Sequence, residues 1–234
     1  MSGTLYLVAT PIGNRDDITS RALRILNEVD VIMYEEHREG RRLLAHYNIS
    51  EKTTETLNEH DEDESSRRIL EYLKQGKNVA LISDAGTPVF SDPGQMLVQL
   101  AIENNINIVP IPGASSIVPA LILSGFATNE FFFYGFLSQK NEIRLNELRS
   151  LKSQERTIIF LDAPYRLVQL LNDISKTFGG ERRICIAYNL TMHDEQIFRG
   201  SAEGLYQRFT NNKIKGEFVV VVEGEKIKKM NYEE

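Results

Sequence analysis

Ser83-Asp84-Ala85-Gly86-Thr87-Pro88 sets hydroxyls, a carboxylate and a glycine side by side, directly after the apolar run Val79-Ala80-Leu81-Ile82. A buried strand that ends in a short loop of glycine and proline is how open α/β sheets build a ligand crevice at their carboxyl edge. The same grammar occurs twice more. Leu5-Tyr6-Leu7-Val8-Ala9 runs into Thr10-Pro11-Ile12-Gly13-Asn14, and Ile106-Asn107-Ile108-Val109 runs into Pro110-Ile111-Pro112-Gly113-Ala114-Ser115-Ser116. Three junctions of one style predict a single pocket lined by backbone and small residues. Such a pocket suits a ligand recognised through main-chain hydrogen bonds, with an adenosine-like body and few phosphates.

Other chemistries lose ground by omission. The chain has no G-x-x-x-x-G-K-[ST] phosphate loop and no G-x-G-x-x-G dinucleotide turn. It has no G-x-S-x-G elbow for acyl transfer. His37, His46, His60 and His193 fall at no metal-ligand spacing, and the one cysteine, Cys185, gives them no help. No metal is expected. Cys185 sits in an apolar run and reads as a small buried hydrophobe. A net charge of −6 argues against a general nucleic-acid coat protein. Any RNA contact must then use a confined, salt-sensitive patch. Candidates are Arg38 with Arg41 and Arg42, and Lys140, Arg144, Arg149 and Lys152 along a helix. No apolar run approaches a membrane span, and the first residues lack the regions of a signal peptide. A cytoplasmic protein without membrane contact is expected.

The elements that must position these loops alternate along the chain. Strands are predicted at 4–9, 29–34, 78–83, 106–110, 130–134, 156–161, 183–188 and 217–222. Several are apolar throughout, as strands covered on both faces are. Ile18, Ala22, Ile25, Leu26 and Val29 mark one amphipathic helix, with Asp16-Asp17 at its N-cap. Leu167, Leu170, Leu171, Ile174 and Phe178 mark another, stopped by Gly179-Gly180. Helices are also expected over 65–75, 94–104, 115–124, 141–152 and 201–211. The acidic stretch 59–64 reads as a solvated loop and helix start. Alternation of this kind means βαβ units and a largely parallel sheet. The extended runs 182–188 and 196–199, with no helix between them, predict antiparallel pairing and a mixed sheet in the second half. The chain is thus read as two α/β domains, 1–113 and 114–234.

At its loops the sequence resembles a known family. Leu5 to Asn14, Asp17-Ile18-Thr19, Arg21-Ala22-Leu23, Arg41-Arg42-Leu43-Leu44, Ser83 to Pro88, Ser91-Asp92-Pro93-Gly94 and Pro110 to Gly113 match in order. Gly135-Phe136-Leu137, Ala163-Pro164 with Arg166, Leu190-Thr191, Arg199-Gly200 and Lys215-Gly216-Glu217 follow. Together they resemble the ribosomal RNA small subunit methyltransferase I family, of the tetrapyrrole-methylase class of S-adenosylmethionine-dependent methyltransferases. The resemblance implies a two-domain fold with the cofactor in the cleft between the domains, and a homodimer. It implies 2′-O-methylation of a cytidine ribose in small-subunit rRNA. Carried over by position, the cofactor set is Pro11, Asp84, Gly86, Thr87, Ser115, Ser116, Leu161, Ala187 and Phe218. Pro11 and Asp84 have plainer readings as a turn former and a cap. Three motifs depart from the family pattern. Glu35-Glu36-His37-Arg38 stands for Glu-Asp-Thr-Arg, Asp162-Ala163-Pro164-Tyr165-Arg166 for Glu-Ala-Pro-His-Arg, and Asn189-Leu190-Thr191-Met192 for Glu-Leu-Thr-Lys.

The implied reaction is an in-line displacement at a sulfonium methyl carbon, so positioning of the acceptor oxygen carries most of the catalysis. A nearby carboxylate can take the hydroxyl proton as it leaves. Glu36 is the first candidate and Glu35 the second, with Arg38 placed to hold a phosphate by its planar fork. Each also reads as a surface ion pair or cap. Two rivals stay open at this point: a paralogue that methylates a small molecule, and a cofactor-binding, ribosome-associated module with little catalysis.

Overall fold

A computed structural model describes residues 2–50, 52–57, 62–212 and 214–225. The chain divides into two units, Met1–Ser115 and Ser116–Glu234.

In the first unit, β1 (Thr4–Val8), β2 (Val31–Tyr34), β3 (Thr53–Thr56), β4 (Val79–Ile82) and β5 (Asn107–Ile111) form one sheet in the order β3-β2-β4-β1-β5. Every pairing in it is parallel. Side chains alternate between two cores. Leu5, Val31, Met33, Val79 and Leu81 face α3 (Glu62–Lys74) and α4 (Gln95–Glu103). Val8, Ile32, Tyr34, Ala80 and Ile82 face α1 (Ser20–Glu28) and α2 (His37–His46). The helix after β1 therefore covers one face, and the helix after β4 covers the other. Because β1 and β4 are neighbours, their carboxyl ends open a crevice, the switch point of a doubly wound sheet.

In the second unit, β6 (Phe131–Phe136), β7 (Thr157–Leu161), β8 (Arg183–Tyr188), β9 (Gln196–Ser201) and β10 (Phe218–Val222) run in the order β6-β7-β10-β8-β9. β6 and β7 are parallel, and all other pairings are antiparallel. The mixed sheet expected from 182–199 is present. Its larger core joins α6 (Asn141–Ser150), α7 (Leu167–Phe178) and α8 (Ala202–Asn211). α5 (Ile117–Ser124) packs on β8 and β10. Cys185 lies buried in β8, where lost hydration pushes its thiol up to about 11.

The structure corrects two local expectations, at the start of α1 and at Arg144, and adds two elements. The N-cap of α1 is Thr19, whose side chain accepts from the Ala22 N–H at 3.0 Å. Asp16 and Asp17 belong instead to a separate 3-10 turn capped by Asn14. Residues 37–46, for which no element is predicted, form α2, and 53–56 add the edge strand β3. Arg144 does not belong to a surface patch. It is 5% exposed and pairs with buried Asp173 at 2.7 Å. Of the acidic stretch, residues 59–61 lie outside the described residues. Glu62 beyond them accepts from the Gly94 N–H at 2.8 Å and the Met96 N–H at 3.2 Å, so it caps α4.

Candidate active site

The three loops singled out in the sequence meet at the switch point of the first unit. The Thr10 N–H donates to the Gly86 carbonyl at 2.8 Å, and the Gly86 N–H returns the bond to Thr10 at 3.1 Å. The buried Thr10 hydroxyl donates to the Ser83 carbonyl at 2.9 Å. On the other side, the Ala9 N–H donates to Ile111 at 3.1 Å. These bonds carry the sheet past its strand ends and clasp the loops after β1, β4 and β5.

Two glycines let the backbones approach. Gly86 holds φ of +90°, and a Cβ there would lie 3.3 Å from Ile12. A Cβ on Gly113 would meet Ala9 at 3.0 Å. The β4 loop also holds two non-glycine residues in the left-handed region, Val89 (φ 69°) and Ser91 (φ 68°). A β-branched residue rarely sits there, and strain of this kind gathers at ligand sites. The Ser83 hydroxyl donates to Asp92 Oδ2 at 2.5 Å and braces the loop from within.

Carboxylates line the β2–β4 side. Asp84 accepts from the Glu36 N–H at 3.4 Å, which brings the N-cap of α2 to the β4 loop. As a residue Asp84 is exposed, yet atoms crowded round its carboxyl strip enough water to push its pKa up. The Glu36 N–H bond pulls the other way, and the charges of Glu36, Glu39 and Asp92 add to the rise. Loss of hydration also raises Asp92, against the pull of the Ser83 bond. Glu35 lines a small hollow with Ser83, Pro88 and Asp92. Arg38 and Arg41 are exposed on α2, whereas Arg42 pairs with Glu39 at 3.7 Å. The structure therefore joins Pro11, Asp84, Gly86, Thr87, Glu35 and Glu36 at one edge of one sheet.

In the second unit, Leu161 and Ala187 flank Val219 in register, on the sheet face that α5 covers. Ser116 is the N-cap of α5, and Ser115 precedes it. Phe218 is not brought to that face. Its side chain lies in the larger core on the opposite side, so only its main chain can serve a ligand beside Leu161 and Ala187.

The register also gathers two of the three departing motifs. Phe136 pairs with Leu161, and Tyr188 with both Phe218 and Gln196, so residues 137–140, 162–166, 189–195 and 215–217 share one sheet edge. Asp162 and Asn189 are buried there, each with one oxygen that has no hydrogen-bond partner. Asn189 has φ of 46° and donates to Asp194 at 2.9 Å. Asparagine tolerates that backbone better than glutamate does. Gly216 lies over the same amide, where a Cβ would stand 2.3 Å from Asn189 Oδ1. The described residues include no group of three His, Cys, Asp or Glu able to hold a metal.

A doubly wound parallel sheet with a clasped, glycine-bearing crevice, followed by a mixed sheet, defines a class. The model of the Tetrapyrrole (Corrin/Porphyrin) Methylases matches residues 4–206. Solved structures share the fold. Diphthine synthase superposes with a TM-score of 0.73 at 16% identity, covering 97% of this chain and 91% of that one. Uroporphyrin-III C-methyltransferase from Thermus thermophilus, complexed with S-adenyl homocysteine, gives 0.65 at 16% identity over 94% and 97%. Among curated relatives, the ribosomal RNA small subunit methyltransferase I of Synechocystis is 47% identical over 95% of this chain and 79% of its own length. The chain belongs to the ribosomal RNA small subunit methyltransferase I family.

Proposed function

We propose that the protein transfers the methyl group of S-adenosylmethionine to the 2′-hydroxyl of a cytidine in 16S rRNA, acting in the cytoplasm on the small ribosomal subunit or its rRNA. The observation that carries this reading is the clasp of the three first-unit loops, in a chain 47% identical to a named rRNA methyltransferase.

The crevice fits that cofactor on its own chemistry. Glycine backbone and small side chains leave room for a flat purine and ribose. The carboxylates there suit a sulfonium cation, an amino group and ribose hydroxyls, and disfavour phosphates. The cofactor supplies an activated methyl group. Asp84 would accept from the ligand's donors, with Pro11, Gly86 and Thr87 as walls, and Ser115 and Ser116 on the third loop.

Glu36 stands next to Asp84 through the 3.4 Å bond, so the base candidate and the cofactor anchor share one corner. Glu36 takes the hydroxyl proton as the oxygen attacks, with Glu35 as the second candidate. Arg38, in the first turn of α2, holds the phosphate beside the acceptor ribose. The protein acts as a homodimer.

The test is transfer of labelled methyl from S-adenosylmethionine to small subunits that lack the modification, followed by nuclease digestion and separation of nucleosides. Label in a 2′-O-methylcytidine is expected, and Glu36→Gln should lower kcat more than KM. No transfer, or label on a base, would overturn the reading.

A further inference from the structure

We propose that Tyr165 is a stacking platform for an unpaired base of the RNA acceptor, an inference that rests on the ribosomal RNA reading above. Tyr165 is 79% exposed. Lone exposed aromatics are ordinary on protein surfaces, so the weight lies on how this one is mounted.

The ring stands in the 3-10 turn Pro164–Arg166, which starts on a proline of fixed φ. Asp162, its side chain 2% exposed, accepts from the Ala163 N–H at 2.8 Å and pairs with Arg166 Nε at 3.0 Å. Arg166 Nη2 donates to the Ser138 carbonyl at 3.1 Å, and Arg144 Nη1 reaches the same carbonyl at 3.4 Å. Arg144 is itself anchored on Asp173 at 2.7 Å, both side chains nearly out of water. Two guanidinium groups thus tie the turn after β7 to the loop after β6. Ion pairs held out of water are a poor source of net stability. What this network does is fix the turn, so that the ring is already in place when a base arrives.

The same sheet edge carries exposed Lys140 and Lys215, and exposed Phe136 ends β6. The carboxylates of Asp194 and Glu195 are turned toward the Asn189 amide and the Thr191 N–H. A fixed aromatic ring on an edge that also bears lysines matches single-stranded RNA, in which a splayed base stacks while its phosphates meet the cations.

The chain has no tryptophan, so Tyr165→Trp installs a single reporter. Tyr165→Ala is expected to raise KM for unmethylated small subunits on the order of tenfold. Its kcat, cofactor affinity and salt slope should stay native, because the ring carries no charge. Tyr165→Phe should stay near native, and the Tyr165→Trp fluorescence should be quenched by a single-stranded oligonucleotide of the 16S sequence. An unchanged KM for Tyr165→Ala, or an equal loss for Tyr165→Phe, overturns the proposal. So does a shift of Tyr165→Ala to a smaller species on sedimentation, which would mark the ring as a contact between copies. If the native protein methylates no subunit, the earlier reading fails by itself. Absence of quenching in Tyr165→Trp then decides against the platform independently.

Discussion

Asp84 is the residue on which the proposed donor binding would turn, and its protonation gives that proposal a signature. Crowding raises its carboxyl pKa, with loss of hydration as the largest cause. The ionised form accepts from a ligand, so affinity for S-adenosylmethionine should be level at neutral pH and fall as pH drops through that raised value. The fold responds in the opposite sense. A raised carboxyl favours folding while protonated, and that contribution is lost as pH rises. Titration calorimetry across mildly acidic pH should show the fall in the native protein and a flat, weaker profile in Asp84→Asn. At this scale the sequence was legible where loop composition alone places residues, as at Thr10, Ser83 and Gly86, which meet as expected. It was not legible where a residue's role comes from a partner far along the chain. Arg144 has the spacing of a surface cation, yet Asp173, twenty-nine positions away, draws it into the core. Nor does a valine announce a left-handed backbone: Val89 takes it because Ser83 and Asp92 close the loop around it.

Elements with an apolar period were the readable ones. The strand β3 escaped because Thr53-Thr54-Glu55-Thr56 offers no buried run at the edge of its sheet. The helix α2 escaped because it contains Gly40, a residue that weakens helices. The structure shows why glycine stands there: a Cβ would lie 2.3 Å from the Tyr34 ring, which is packed under the helix. The position of Glu36, and so the chemistry assigned to it, depends on that close approach. The start of α1 gives a simpler test. Thr19 satisfies the Ala22 N–H, which two acidic residues upstream do not reach. Thr19→Ala should cost about 1 kcal/mol in chemical denaturation, with methyl transfer unchanged below the transition. Asp16→Ala should cost much less.

The whole molecule is built from two units, each closed around its own core. β6 lies at one edge of the second sheet, and Phe131 and Phe132 on it are 40% and 37% exposed. An apolar edge strand left open invites pairing with another chain, which supports the proposed homodimer. Sedimentation at micromolar concentration should give a dimer, with an interface of about 2,000 Å² or more. Phe132→Lys should shift it toward monomer. A native monomer would count against any site composed across two copies. The two-sheet architecture was legible from alternation of strand and helix. The pairing order was not, because register is set by contacts between segments that sequence spacing does not relate.

The clasp between Thr10 and Gly86 has a meaning for how such a site drifts over generations. Its bonds run from main chain to main chain, so most substitutions in these loops leave the outline of the pocket untouched. Inheritance can rewrite side chains on the loop edge of the second sheet, where Asp162, Tyr165, Asn189 and Met192 depart from the pattern of the family the sequence resembles, while a crevice built of backbone keeps its shape. The vulnerable letters are the few that a methyl group would spoil, Gly86 against Ile12 and Gly113 against Ala9. A pocket drawn in backbone is a conservative heirloom, and novelty accumulates where side chains do the recognising.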